Sequence, residues 1–164
     1  MIKQLNILIL TMFGIGNSKY APGTMASFVT CLLFIYLYNS QIDILLIILF
    51  IFFVFIFSVY SIDTYKSLFS EIDSKEIVVD EFIGQSIPIL TIYNLIEENN
   101  SAHFIFYTLI AFFFFRIFDV MKPYPINKID QNMKNGFGVI LDDIIAGIYS
   151  ALVLLIIIFY TNHA

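Results

Sequence analysis

Long apolar runs alternate with short polar patches along this chain. Residues 25–38 and 44–60 are almost wholly apolar and are separated only by Asn39-Ser40-Gln41-Ile42-Asp43. Further apolar stretches cover residues 77–96, 104–118 and 144–160. About 20 apolar residues in a helix cross a hydrocarbon core. Segments near 21–38, 42–60, 77–96, 102–118 and 143–160 are therefore expected to cross a bilayer, the first two as a helical hairpin. Residues 2–13 are apolar but too few to span, so an interfacial or re-entrant helix is expected there. Gly14-Ile15-Gly16 makes a poor signal-peptide cleavage site. The mixed-charge stretch 61–76 reads as a loop or amphipathic connector.

Composition agrees with this pattern. The chain is 60% hydrophobic and only 13% charged, with 19 Phe in 164 residues, whereas soluble domains carry about 25% charged residues. The expectation is a single all-α domain over residues 1–164: a multihelical integral membrane protein with four to five spanning helices and a polar site at one bilayer face. A net charge of −5 excludes nucleic acid as a partner, because that requires a basic face. The single cysteine, Cys31, lies in an apolar run, reads as buried and inert, and permits no disulfide within the chain.

The polar patches carry the candidate chemistry. In Ala21-Pro22-Gly23-Thr24, Pro22-Gly23 should turn the chain and Thr24 should cap the following helix, whose free N–H groups suit an anion. Asp80 and Glu81 open an apolar segment; in a helix Asp80 shares a face with Gly84, and Glu81 with Gln85. Gly84 is expected to leave space beside a ligand, and Pro88 to kink the helix. Arg116, Asp119 and Lys122 follow one another at intervals of three, and Pro123-Tyr124-Pro125 ends their helix. Gly136 and Gly138 then lead into Asp142-Asp143 at the start of the last apolar helix. Gly147, four residues beyond Asp143, is expected to open space above that carboxylate. His103, beside the turn at 97–101, is given no role.

Threading the five segments through a bilayer places Lys19, Lys66, Lys75, Arg116, Lys122, Lys128 and Lys134 on one side. Asp43, Glu97 and Glu98 fall on the other. The positive-inside rule makes the first side cytoplasmic. The same threading gathers the Pro22-Gly23-Thr24 loop, Asp80/Glu81, Asp119/Lys122 and Asp142/Asp143 at one face. Five carboxylates at one depth repel strongly unless a cation or protons intervene. No His–Cys cluster accompanies them, so zinc is not expected. Oxygen ligands with a phosphorylated substrate suit Mg²⁺, and Arg116 and Lys122 can hold a phosphoryl group. Both an activated water and an aspartyl-phosphate are compatible with these residues.

The ordered set Ala21-Pro22-Gly23-Thr24, Asp80-Glu81-x-x-Gly84-Gln85, Phe115-Arg116-x-Phe118-Asp119-x-x-Lys122-Pro123-x-Pro125 and Gly136-x-Gly138-x-x-Leu141-Asp142-Asp143-x-x-Ala146-Gly147 resembles the phosphatidylglycerophosphatase A family from about residue 14 to residue 151. The resemblance implies a bacterial inner-membrane enzyme of phospholipid biosynthesis. Its reaction would be Mg²⁺-dependent removal of the terminal phosphate of phosphatidylglycerophosphate to give phosphatidylglycerol. It implies Asp80, Glu81, Asp119, Lys122, Asp142 and Asp143 as site residues, supported by Thr24, Gln85 and Arg116. Within that set Asp80, Glu81, Asp142 and Asp143 are the expected metal ligands, while Thr24, Gln85, Arg116 and Lys122 are the expected substrate-binding groups. Val79 and Tyr124 stand where the family pattern has Trp, and Ala26 where Gly is common; these changes bear on substrate fit and leave the charged set intact.

Two rival readings have distinct signatures. A CDP-alcohol phosphatidyltransferase needs widely spaced aspartates, unlike the adjacent Asp142-Asp143. A cation or proton carrier would also use intramembrane carboxylates, but has no need of the Arg116/Lys122 pair.

Overall fold

The computed structural model describes residues 2–65, 74–96 and 100–163. Lys66, Glu97 and Glu98, three of the charges used for the topology, lie outside the described residues. Seven α-helices and no strand are present among those described: α1 (Ile2–Leu10), α2 (Pro22–Asn39), α3 (Ile44–Tyr65), α4 (Val79–Tyr93), α5 (Ser101–Met121), α6 (Ile126–Asn132) and α7 (Gly136–His163). Four of these, α2, α3, α5 and α7, are long and apolar enough to cross a membrane. The expected all-helical membrane architecture is thus observed.

The fifth expected span, α4, is different in kind. Its 15 residues rise about 22 Å at 1.5 Å per residue, less than the ~30 Å of a hydrocarbon core. It is nonetheless the centre of the bundle, packing on α7, α2, α5 and α3. Most of its side chains are buried, whereas α3 presents Leu45, Leu46, Phe50 and Phe53 outward. Outward apolar side chains are expected where lipid is the solvent, and every backbone N–H and C=O must then be satisfied within the helices. Two hydroxyls inside α2 turn back on the backbone in the same way: Ser27 Oγ donates to Gly23 O at 2.9 Å and Thr30 Oγ1 to Ala26 O at 2.8 Å.

Helix boundaries follow local chemistry, with two corrections to expectation. Pro22 begins α2, and Ala21, in the left-handed region, precedes it without a side-chain cap. Proline at the first helical position needs no N–H partner and has its φ already set, so Thr24 lies within the first turn and does not cap. Secondly, α7 starts at Gly136, placing Asp142 and Asp143 well inside the helix, not at its start. Asn135 Oδ1 accepts from Gly138 N–H at 2.7 Å, and Asp63 Oδ1 of α3 accepts from Gly136 N–H at 2.8 Å; these two acceptors let the helix begin so early. As expected, α5 ends at Met121: Lys122 adopts φ 42 as its C-cap, and Pro123 follows.

Two glycines fix how α4 crosses α7. A Cβ on Gly84 would come within 2.6 Å of Asp143 O and 2.8 Å of Phe115 Cε2, and one on Gly147 would overlap Gly84 O. The space expected above the carboxylates is therefore filled by the neighbouring backbone. These glycines serve close helix approach, as small residues do between spanning helices.

Candidate active site

One end of the bundle gathers the first turns of α2 and α4, the second turn of α7, the last turn of α5, and α6. The contact between Gly23 and Glu81 shows this directly, since a Cβ on Gly23 would overlap the Glu81 carboxylate. On α4, Asp80 is 7% exposed, and on α7 Asp143 is 4% exposed, too little for either carboxylate to be hydrated as it would be on a surface. Together with Glu81 they offer oxygen atoms that all lie within 4.8 Å of one another. The Asp80 and Glu81 carboxyls are within hydrogen-bonding reach of each other, as are those of Asp143 and Asp119. Among the described residues Glu81 Oε2 is buried without a hydrogen-bond partner, as are both amide atoms of Gln85, one helical turn further on.

The two cations nearest the carboxylates, Arg116 and Lys122, are already paired. Arg116 Nη1 meets Asp119 Oδ2 at 2.7 Å on α5. Lys122 Nζ donates to Asp130 Oδ1 of α6 at 2.6 Å and to Asp142 Oδ2 at 2.9 Å. Partial burial works against the charge on Lys122, but those hydrogen bonds outweigh it and hold its pKa above the ordinary lysine value. Lys122 thus leaves the helical face shared by Arg116 and Asp119 and ties the loop after α5 to α7. Asp142 is set apart from the Asp80–Glu81–Asp143 trio by that pairing. Thr24 is partly buried in the first turn of α2.

The structure thereby brings together Asp80, Glu81, Asp119 and Asp143 around one point, with Gln85 and Arg116 in the same region and Lys122–Asp142 to one side. Asp130 and Asp63 were not singled out from sequence as site groups. Asp130 lies beyond two prolines, where no helical periodicity links it to Lys122. The only advance signal for Asp63 is a carboxylate at the end of an otherwise apolar run.

Such an arrangement has an excess of buried negative charge, and without a cation the like charges repel across a medium of low dielectric. A hard divalent ion with oxygen ligands fits the trio: all its donors are carboxylates, and among the described residues no lysine or arginine forms an ion pair with it and one of its oxygens is buried without a hydrogen-bond partner. Fold and site together define a multi-pass membrane protein with a cluster of buried and half-buried carboxylates at one end of its helical bundle.

Comparison with known proteins makes this specific. The sequence model of phosphatidylglycerophosphatase A matches residues 8–158. The chain is 31% identical to phosphatidylglycerophosphatase A of Haemophilus influenzae, over 89% of the chain and 84% of that protein. It is 33% identical to phosphatidylglycerophosphatase A of Escherichia coli, over 88% and 78%. It is also 34% identical, over 89% of both, to a Bacteroides thetaiotaomicron protein provisionally named phosphatidylinositol-3-phosphatase. No solved structure matches the chain. The chain belongs to the phosphatidylglycerophosphatase A family and is a lipid phosphatase.

Proposed function

We propose that the protein hydrolyses the terminal phosphomonoester of phosphatidylglycerophosphate, releasing phosphate and phosphatidylglycerol, with Mg²⁺ as cofactor. The reaction would occur at the cytoplasmic face of the bacterial inner membrane. The observation that carries this reading is the convergence of Asp80, Glu81 and Asp143 oxygens within 4.8 Å. Magnesium held there would offset the carboxylate charge and polarise a phosphoryl group.

The chain's own residues account for the rest. Asp119 lies beside the trio and is ion-paired to Arg116. An incoming phosphate would compete with Asp119 for the guanidinium, which can grip it with two parallel N–H donors. Lys122 keeps Asp142 and Asp130 together and adds positive potential where the leaving phosphate departs. The buried Gln85 amide, unpartnered in the absence of substrate, supplies one donor and one acceptor for the glycerol hydroxyl or phosphate oxygens. The acyl chains stay in the bilayer while the headgroup sits at the charged end. Lys19, Lys75 and Lys134 belong to the loops of that end and Lys128 to α6, so by the positive-inside rule this end would face the cytoplasm.

The test is phosphate release from phosphatidylglycerophosphate by purified protein in detergent, with Mg²⁺ and with excess chelator. Release that needs the ion and disappears in Asp143→Asn supports the reading. Folded protein that releases none would overturn it. The name of the Bacteroides relative favours a second substrate, phosphatidylinositol 3-phosphate, which is also a lipid phosphomonoester. The same assay with that lipid decides between them by the ratio of kcat/KM.

A further inference from the structure

The hairpin arms α2 and α3 follow one another in sequence but scarcely touch. α2 packs on α4 and α5, whereas α3 packs on α7, α4 and α1. Between the arms a groove of about 250 Å³ opens towards the lipid. It is lined by Leu33, Phe34 and Leu37 of α2 and by Leu46, Ile47 and Phe50 of α3, among others. Among the described residues, none that lines it is charged. Its floor is Phe82 of α4, whose ring meets Phe50 edge-on with centroids 6.4 Å apart. Phe82 is the covalent neighbour of Glu81.

From this placement we infer that the α2–α3 groove holds one acyl chain of the lipid substrate and that the substrate enters sideways from the bilayer between these two helices. The inference rests on the proposed lipid phosphatase reaction and adds where the apolar part of the substrate binds. Three observations converge on an acyl chain as occupant. The groove opens on the faces of α2 and α3 that carry Leu33 and Leu46, both exposed, where hydrocarbon chains are the surrounding medium. It runs lengthwise along two antiparallel helices, which suits an extended chain. Its Phe82 floor adjoins the residue that presents an unpartnered carboxylate oxygen to the site, so a chain along it leads to a headgroup at Glu81. Helices that pack mainly on other partners and only slightly on each other also provide an opening that need not disrupt the site. Chain binding remote from the reacting phosphate can be used to orient that phosphate.

The test compares dipalmitoyl with dihexanoyl phosphatidylglycerophosphate in mixed micelles, using wild type, the groove-filling double variant Leu33→Trp/Leu46→Trp, and Phe53→Trp on the outer face of α3. The double variant should lose about tenfold or more in kcat/KM for the long-chain lipid while the short-chain value stays within about twofold; Phe53→Trp should change neither. A long-to-short ratio unchanged in the double variant overturns the inference. A wild type that cleaves neither lipid would instead count against the proposed reaction. Photolabelling wild type with a phosphatidylglycerophosphate carrying a mid-chain diazirine reads the groove without turnover and without a variant. Adducts concentrated on residues 33–37 and 46–51 support the inference, and adducts spread evenly over the outer faces of α3, α5 and α7 overturn it.

Discussion

At one end of the bundle Tyr38 stacks on Phe104 with ring centroids 4.0 Å apart, and Tyr93 meets both rings edge-on at 5.6 and 5.7 Å. At the other, buried Asp80 and Asp143 crowd together with half-buried Glu81, and Gln85 and Glu81 hold buried polar atoms with no partner among the described residues. The same helices, α2, α4 and α5, contribute to both ends. The aromatic end also resolves its polar groups: the Tyr93 hydroxyl donates to Ile42 O at 2.9 Å, and Ser101 Oγ to Asn39 Oδ1 at 2.6 Å. The carboxylate end leaves its polar groups waiting. Thr108 Oγ1, one turn from Phe104, is also buried without a partner among the described residues, but it is a single neutral hydroxyl; a carboxylate oxygen and a whole amide left unsatisfied together single out the carboxylate end as the candidate place for a ligand. The comparison predicts that the ends respond oppositely to mutation: stability should depend on the aromatic end and activity on the carboxylate end.

The largest effect is expected at Asp143. Asp143→Asn keeps the volume and removes one of the crowded charges. Phosphate release should fall about a thousandfold, the scale of losing a principal electrostatic group in an active site. The melting temperature in detergent should stay the same or rise, because a buried repulsion is relieved. A variant that melts lower and loses activity only in proportion would make this carboxylate structural. Phe104→Ala is the mirror case. Phe104 is fully buried against Tyr38 and Tyr93, so truncation should destabilise by about 3 kcal/mol or more, while the folded fraction keeps its specific activity.

Gly147→Ala tests the join between the ends. Its new methyl would overlap Gly84 O, forcing α4 and α7 apart at the level of Asp143. Overpacking of this kind costs about 1–3 kcal/mol, and here activity should fall as well because the trio is split between those two helices. Full activity would mean that the trio tolerates movement of α4 against α7.

A smaller loss, about tenfold, is expected for Lys122→Met, which frees Asp142 and Asp130 from their shared cation. The sign of its pH dependence follows from the raised pKa. The stabilising contribution of the ion pairs is complete below the unfolded lysine value near 10.4 and fades only as pH rises through the higher folded value. Between about pH 6 and 9 the wild-type activity profile should therefore owe none of its slope to Lys122, and Lys122→Arg should keep the same profile. A profile that Lys122→Arg displaces within that range would show that this lysine titrates in the working enzyme.

The contrast between the ends also explains which features were legible in the sequence. Apolar runs of spanning length announced α2, α3, α5 and α7, because in a bilayer helix length and composition are set by the same hydrocarbon thickness. The gathering of Asp80, Glu81, Asp119 and Asp143 was legible too, since alternating spans bring every second loop to one face. Depth within the helices was less legible. Asp142 and Asp143 looked like a helix start because a mostly polar stretch, 127–135, and two glycines, Gly136 and Gly138, come before them, yet Asp63 and Asn135 cap the helix earlier. Gly84 and Gly147 were read as room for a ligand; a glycine in sequence does not say whether a substrate or another backbone fills the space it leaves. The pairing of Lys122 with Asp130 depends on a left-handed C-cap and on α6, neither of which leaves a periodic trace.

The smallest effect tests whether the two ends are truly independent. Tyr93→Phe removes only the hydroxyl that donates to Ile42 O in the hairpin loop. That carbonyl lies at the end of the bundle, where water can replace the lost donor, so the loss should be about 1 kcal/mol. The ring stays, and with it the edge-on contacts to Tyr38 and Phe104. A melting temperature lowered slightly with unchanged kcat and KM would agree with the division argued above. Tyr93 lies on α4, three turns from Glu81, and Ile42 joins α2 to α3. If kcat fell about tenfold while the melting temperature barely moved, the hairpin loop would have to communicate with the trio along the length of α4. The aromatic end would then be setting the position of α4 for catalysis as well as holding the bundle together.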